Sequence, residues 1–284
     1  LQAGDRGLQE IEDALPIDRH ARVTDDLPVG VYEVVADFGQ ARGTNTATIL
    51  PNEAHLARKY GRTILLRANV LTDPELFALA EASWRAAVHP DHHAELALDG
   101  NFHRTLWHEI GHSLGPRTTA DGRSVDAALE EHSDLIEELK SDLVSLFAAP
   151  RLRAAGYHDD ASLRAVMASG ILRVLQKVKP RRAQPYQTMQ LMQWNWFRQN
   201  GVLSLVETPD GPRLAIDHSR YDRAVAAMLH EVLGLQSRGD KRAVARFVDA
   251  LAVWEEEHHG AIAASIRAAE RFRYRLVRYA ALGE

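Results

Sequence analysis

From Asp73 almost to the C-terminus one helical pattern follows another, and this long run of 3.6-residue periodicity constrains the fold more than any other feature. Asp73-Pro74 opens it. An Asp oxygen can take the free N–H groups of a first turn, and Pro fits where no N–H is needed. That helix reaches about Ala87, and His89-Pro90-Asp91-His92-His93 breaks it. Two further helices are expected around 101–114 and 126–149, the first ended by Gly115-Pro116. Helical patterns continue at 160–178, 186–200, 219–236, 240–258 and 260–281. A basic, Pro-marked loop lies near Lys179, Arg181 and Arg182, and a short hairpin is expected around Pro209-Asp210-Gly211-Pro212. Ahead of Asp73 the signal differs. Residues 1–20 read as an amphipathic helix, Gly30–Phe38 and Thr63–Val70 as strands rich in β-branched and aromatic residues, and Gly39–Glu53 as loop or short strand. The expected fold is mainly α (α+β). Residues 1–72 form a small β-containing part and residues 73–284 a helical lobe.

The 284 residues allow one large domain or two modest ones. A net charge of −5 shows none of the basic excess of a nucleic-acid partner. No apolar run reaches the ~18 residues that span a bilayer. There are no cysteines, so disulfides, thiolate metal sites and cysteine nucleophiles are excluded. Any transition metal must sit on His and carboxylates. The chain starts at Leu1 without a signal-peptide pattern, which reads as a processed product or a piece of a longer protein in a cytoplasmic setting.

One segment carries metal chemistry: Thr105–Leu114, TLWHEIGHSL. On a helix, residues i and i+4 lie one above the other, so His108 and His112 can grip one ion. Glu109 is rotated about 100° from the first His and can reach a water on the metal. Leu106, Trp107, Ile110 and Leu114 make the surrounding helix apolar, where two His and a Glu would be costly to bury unpaired.

A catalytic zinc site needs a third ligand and an open position. Leu129–Phe147, LEEHSDLIEELKSDLVSLF, carries an apolar arc at helical spacing. Glu131, Glu138 and Asp142 border that arc, whereas Glu130, Asp134, Glu137 and Lys140 read as its solvated face. Glu138 is the chosen third ligand, with Glu131 the competitor. Asp142, one turn on, is placed to hold the outer nitrogen of a metal-bound His. His132 reads as a core histidine.

HEIGHSLGP followed by LEEHSDLIEELKSDLVSLF resembles the dipeptidyl peptidase III family of zinc metallopeptidases, bacterial members and plant Nudix-fused proteins above all. The family's EExKAD motif stands here as Glu137-Glu138-Leu139-Lys140-Ser141-Asp142, and the first motif has the five-residue HExxH form. NTATILPNE (45–53), QLMQWNWFRQNG (190–201) and the stretch from Ile216-Asp217 to LQSRGDK extend the resemblance over about residues 30–257. It implies a zincin-like helical lobe that takes one Zn2+ on His108, His112 and Glu138. Glu109 is then the general base, with Glu137 and Asp142 supporting the ligands. It also implies a peptide substrate, release of dipeptides from N-termini, and an N-terminal lobe that seen from this sequence is missing. The family's catalytic His aligns with Tyr186, whose hydroxyl could still donate to an oxyanion. Asn45 and Asn52 resemble positions near the substrate backbone, although turn-forming Asn is the plainer reading of both. A zinc-bound but weakly active or inactive peptide-binding module of the same fold is the alternative.

Overall fold

The computed structural model describes residues 6–23, 27–34, 46–51, 59–181 and 184–270. The chain opens with helix α1 (Arg6–Ala14) and a small sheet of β1 (Val29–Tyr32), β2 (Ala47–Leu50) and β3 (Thr63–Arg67). β3 is central, parallel to β1 and antiparallel to β2. Its alternation turns Ile64 and Leu66 fully inward. β2 falls in the segment expected as loop or short strand. The second expected strand stops early, because Ala68–Leu71 turns into a short helix, α2. Asn69 on that turn brackets the Val34 backbone, accepting from its N–H at 3.0 Å and donating to its carbonyl at 3.0 Å. A side chain thus replaces the next rung of the ladder.

The helical body follows the sequence pattern closely, although the helix expected over 240–258 stops at Leu251. Asp73 caps α3 (Pro74–Ala87) by accepting from the N–H groups of Glu75 and Leu76. Residues 90–95 form a 3-10 turn, and α4 runs Leu98–Gly111. Asp159, Asp217 and Asp240 cap α7 (Asp160–Val174), α9 (His218–Arg238) and α10 (Lys241–Leu251) in the same way. Between them lie α8 (Pro185–Gln199) and the expected hairpin, β4 (Leu203–Thr208) with β5 (Gly211–Ile216). A π-helical turn at Glu256–Gly260 leads into α11 (Ala261–Ala269). The last expected helix extends past residue 270, outside the described residues.

The helix expected over 126–149 is interrupted. It consists of α5 (Val125–Leu129), a 3-10 turn at Glu130–His132 and α6 (Ser133–Ala154). Glu130 adopts φ +50°, which a helix cannot carry. α6 then continues through Pro150.

α4 and α6 pack against each other in the centre, with α7, α8 and α9 around them. Two glycines permit this closeness. A Cβ on Gly100 would lie 2.3 Å from the Ala165 carbonyl oxygen of α7, and one on Gly111 would lie 3.0 Å from Ser141 Cα of α6. Trp84, Trp194, Phe197 and Tyr221 fill the core. α6 is buried on most sides, its polar residues Lys140, Ser141, Asp142 and Ser145 included.

Candidate metal centre

α4 brings His108 and His112 together at its last turn. Their ring centroids lie 5.0 Å apart and the rings are perpendicular. His112 stands just beyond the final helical residue but keeps right-handed helical angles, so the i, i+4 relation survives. Arg62, from the start of the small sheet, donates to the His112 carbonyl at 3.1 Å and ties the sheet to this corner.

From α6, Glu138 reaches between the two rings. His108 Nε2 is 3.2 Å from Glu138 Oε2, and His112 Nε2 is 3.9 Å from Oε1. Glu138 Oε2 is buried and, by geometry, accepts no hydrogen bond among the described residues. The candidate ligand atoms of His108, His112 and Glu138 all lie within 4.8 Å of one another.

Both outer nitrogens are held by carboxylates. His108 Nδ1 donates to Asp142 Oδ1 at 2.6 Å, and His112 Nδ1 donates to Glu137 Oε1 at 3.0 Å. Carboxylates only accept, so in its neutral form each imidazole keeps its proton on Nδ1 and turns the Nε2 lone pair inward. Ser141 Oγ also lies 3.0 Å from His112 Nδ1.

Asp142 is a hub. It also accepts from Arg104 Nη1 at 3.2 Å, Arg173 Nε at 3.1 Å and Gln193 Nε2 at 3.3 Å. Burial alone would raise its pKa, but the Arg173 guanidinium and His108 outweigh it and hold the carboxyl well below the usual range. Burial likewise works against Glu137, yet Lys140 and His112 bring it down to about 2. For His108, burial favours the neutral ring, while Asp142 and Glu138 reverse the balance and raise it to about 9. Surroundings that favour a positive charge at Nε2 suit a cation between the rings. Two imidazole nitrogens and one carboxylate fit a borderline divalent ion such as zinc.

Glu109 is buried, with 9% of its surface exposed, and makes no hydrogen bond among the described residues. Burial raises its pKa more than His108 and His112 lower it. Tyr186, at the start of α8, is half exposed and donates to Glu138 Oε1 at 3.1 Å. Burial and the Glu138 charge push it up to about 12.

Other expected residues sit elsewhere. Glu131 is exposed and pairs with Lys241 Nζ at 2.6 Å, because the break at Glu130 turns it away. It is no competitor for Glu138. Lys140, expected on a solvated face, is buried at 2% exposure. His132 is half-buried in the 3-10 turn, and Lys179 and Arg181 are exposed. Asn45, Asn52 and Arg182 lie outside the described residues. Sequence reasoning missed Arg104, Arg173 and Gln193. Arg104 alone left a local trace, as a charge one turn before His108 on an apolar helix.

No family model matches the chain. It is 24% identical over 243 residues to Nudix hydrolase 3 of Arabidopsis thaliana, a match covering 83% of this chain and 31% of the plant protein. Among solved structures, dipeptidyl peptidase III from Caldithrix abyssi superposes with a TM-score of 0.80 at 20% identity, covering 92% of this chain and 50% of that one. Dipeptidyl-peptidase III from Corallococcus sp. strain EGB gives 0.79 at 22% identity, covering 93% and 49%. The chain therefore has the fold of these peptidase structures and spans about half their length.

Proposed function

We propose that this chain is the zinc-binding lobe of a metallopeptidase that hydrolyses peptide bonds and releases dipeptides from peptide N-termini. One observation carries the reading. Two imidazoles whose outer nitrogens are held by Asp142 and Glu137 turn their Nε2 atoms towards Glu138, whose buried Oε2 has no donor. His108, His112 and Glu138 would hold the ion. Bound there, zinc would supply Lewis acidity, which polarises a carbonyl and makes water more acidic near neutral pH.

The chain's own residues supply the rest. Glu109, one position from His108 and without hydrogen bonds among the described residues, has both oxygens free to take a proton from the attacking water. The same carboxyl would return that proton to the leaving amine. Tyr186 is the proposed donor to the developing oxyanion, for which its hydroxyl must leave Glu138 Oε1. Asn45 and Asn52 are the proposed contacts to the substrate backbone. A cytoplasmic setting belongs to the same reading. Among the described residues, no helix is long and apolar enough to cross a membrane.

A zinc-bound peptide-binding module without turnover draws on one fact, that the Tyr186 hydroxyl is already engaged by Glu138. Metal analysis combined with a dipeptidyl-naphthylamide assay, with and without chelator, separates the two. Chelator-sensitive cleavage supports the peptidase. Stoichiometric zinc with no cleavage across a peptide panel overturns it.

A further inference from the structure

Lys140 is among the largest fully buried side chains, yet it carries an ammonium group. Its three donors meet three acceptors. Nζ lies 2.7 Å from the Gly111 carbonyl oxygen, 2.8 Å from the Leu114 carbonyl oxygen and 2.8 Å from Glu137 Oε1. A buried ammonium is tolerated only when paired in this way.

The acceptors are not scattered. Gly111 and Leu114 flank His112, and the Gly111 carbonyl, which also accepts from the Leu114 N–H at 3.1 Å, lies at the end of α4, where the helix dipole is negative. Glu137 is the carboxylate that holds His112 Nδ1 at 3.0 Å. Lys140 therefore grips the main chain on both sides of His112 and, through Glu137, its ring. Close packing of Gly111 on Ser141 leaves the two helices little freedom to slide. His108 has no such link, since its outer nitrogen is held by Asp142 with Arg104, Arg173 and Gln193 behind it.

The geometry points to Lys140 as a positioning residue of the metal centre, one that fixes the His112 imidazole through the α4 terminus and the Glu137 carboxylate. This rests on the reading of His108, His112 and Glu138 as metal ligands. Lys140 touches neither metal nor substrate. Groups behind a metal-bound His typically change metal affinity about 10–100-fold when removed.

The test is zinc affinity, measured by competition with a chromophoric chelator on the whole chain, together with long-range 1H–15N NMR of the two histidines. Lys140→Met keeps the stem and removes the donors. It is expected to weaken zinc about 10–100-fold and to disturb the His112 ring signals while leaving those of His108 in place. Affinity within twofold of the parent, with an unchanged His112 spectrum, overturns the proposal. Should Lys140→Met fail to fold, Lys140→Met combined with Glu137→Gln removes both partners and leaves no buried lone charge. The double variant should then bind zinc at least about threefold more weakly than Glu137→Gln alone, since the hold on the Gly111 and Leu114 carbonyls is lost as well. Affinity equal to that of Glu137→Gln overturns the hold through the α4 terminus. A parent chain that binds no zinc defeats the metal reading itself, an outcome distinct from an unaffected Lys140 variant.

Discussion

The described residues hold two clusters of the same composition, His108, His112 and Glu138 on α4 and α6, and His92, Glu95 and His218 between the 3-10 turn and α9. Both bring three candidate ligand atoms within 4.8 Å. They differ in where the protons point. In the first, Asp142 and Glu137 draw the imidazole protons outward and leave two lone pairs facing Glu138. In the second, Ile216 N–H donates to His92 Nε2 at 3.2 Å, so the His92 proton sits on Nδ1 and points at Glu95 Oε1, 3.1 Å away. His218 Nε2 reaches Glu95 Oε2 at 2.8 Å. Glu95 is thus a carboxylate satisfied by two N–H donors. A metal on His92 Nδ1 would put the proton on Nε2, against the Ile216 donor. Ligand type and distance alone do not make a metal site; the atoms behind the ligands decide it.

The largest expected effect follows from that contrast. His108→Ala should abolish tight zinc binding, whereas His218→Ala should leave one zinc per chain, both read by atomic emission after dialysis. Loss of zinc from the His218 variant would reverse the assignment. Next in size, Glu109→Gln should keep its zinc and lose about 10²–10⁴-fold in peptide hydrolysis. Retained turnover in that variant would remove Glu109 as the base.

Glu95→Ala should act on stability and not on metal. It leaves two part-buried imidazole donors without their acceptor, at a cost of about 1–3 kcal/mol, seen as a fall of several degrees in Tm. An unchanged Tm would show that the second cluster ties nothing together. The smallest effect is on acid stability. Burial raises the Glu95 pKa, but the hydrogen bonds from His218 and His92 outweigh it and hold the carboxyl below its ordinary 4.5. As pH falls, the unfolded chain takes up this proton first. The Glu95 contribution is whole above about 4.5 and is lost as pH falls through the lower native value. Glu95→Gln should flatten that acid limb in urea melts between about pH 3 and 5.

What the sequence made legible was local. The Asp73 cap marked a helix start, and the i, i+4 pair of HEIGH placed both rings because helix geometry fixes that relation. Asp142 was placed behind a His by the same helical spacing. Lys140 was misread because assigning one apolar arc assumes the other side of the helix meets water. α6 is enclosed by its neighbours, so its charges turn inward to partners such as the Gly111 and Leu114 carbonyls. Glu131 was misread because one positive φ at Glu130 resets the phase of everything before α6. The strand reading of Thr63–Val70 overran because nothing in local pattern announces that Asn69 will pair with Val34. Arg104, Arg173, Gln193 and the His92–Glu95–His218 cluster join residues far apart in sequence, where no spacing rule applies.

The most direct measurement is an anomalous difference map at the zinc edge from crystals of the full chain grown with one equivalent of zinc. A single strong peak bounded by His108 Nε2, His112 Nε2 and Glu138 is the expected result, with nothing at Glu95. A peak beside His92 and His218, or none between the α4 histidines, would contradict it.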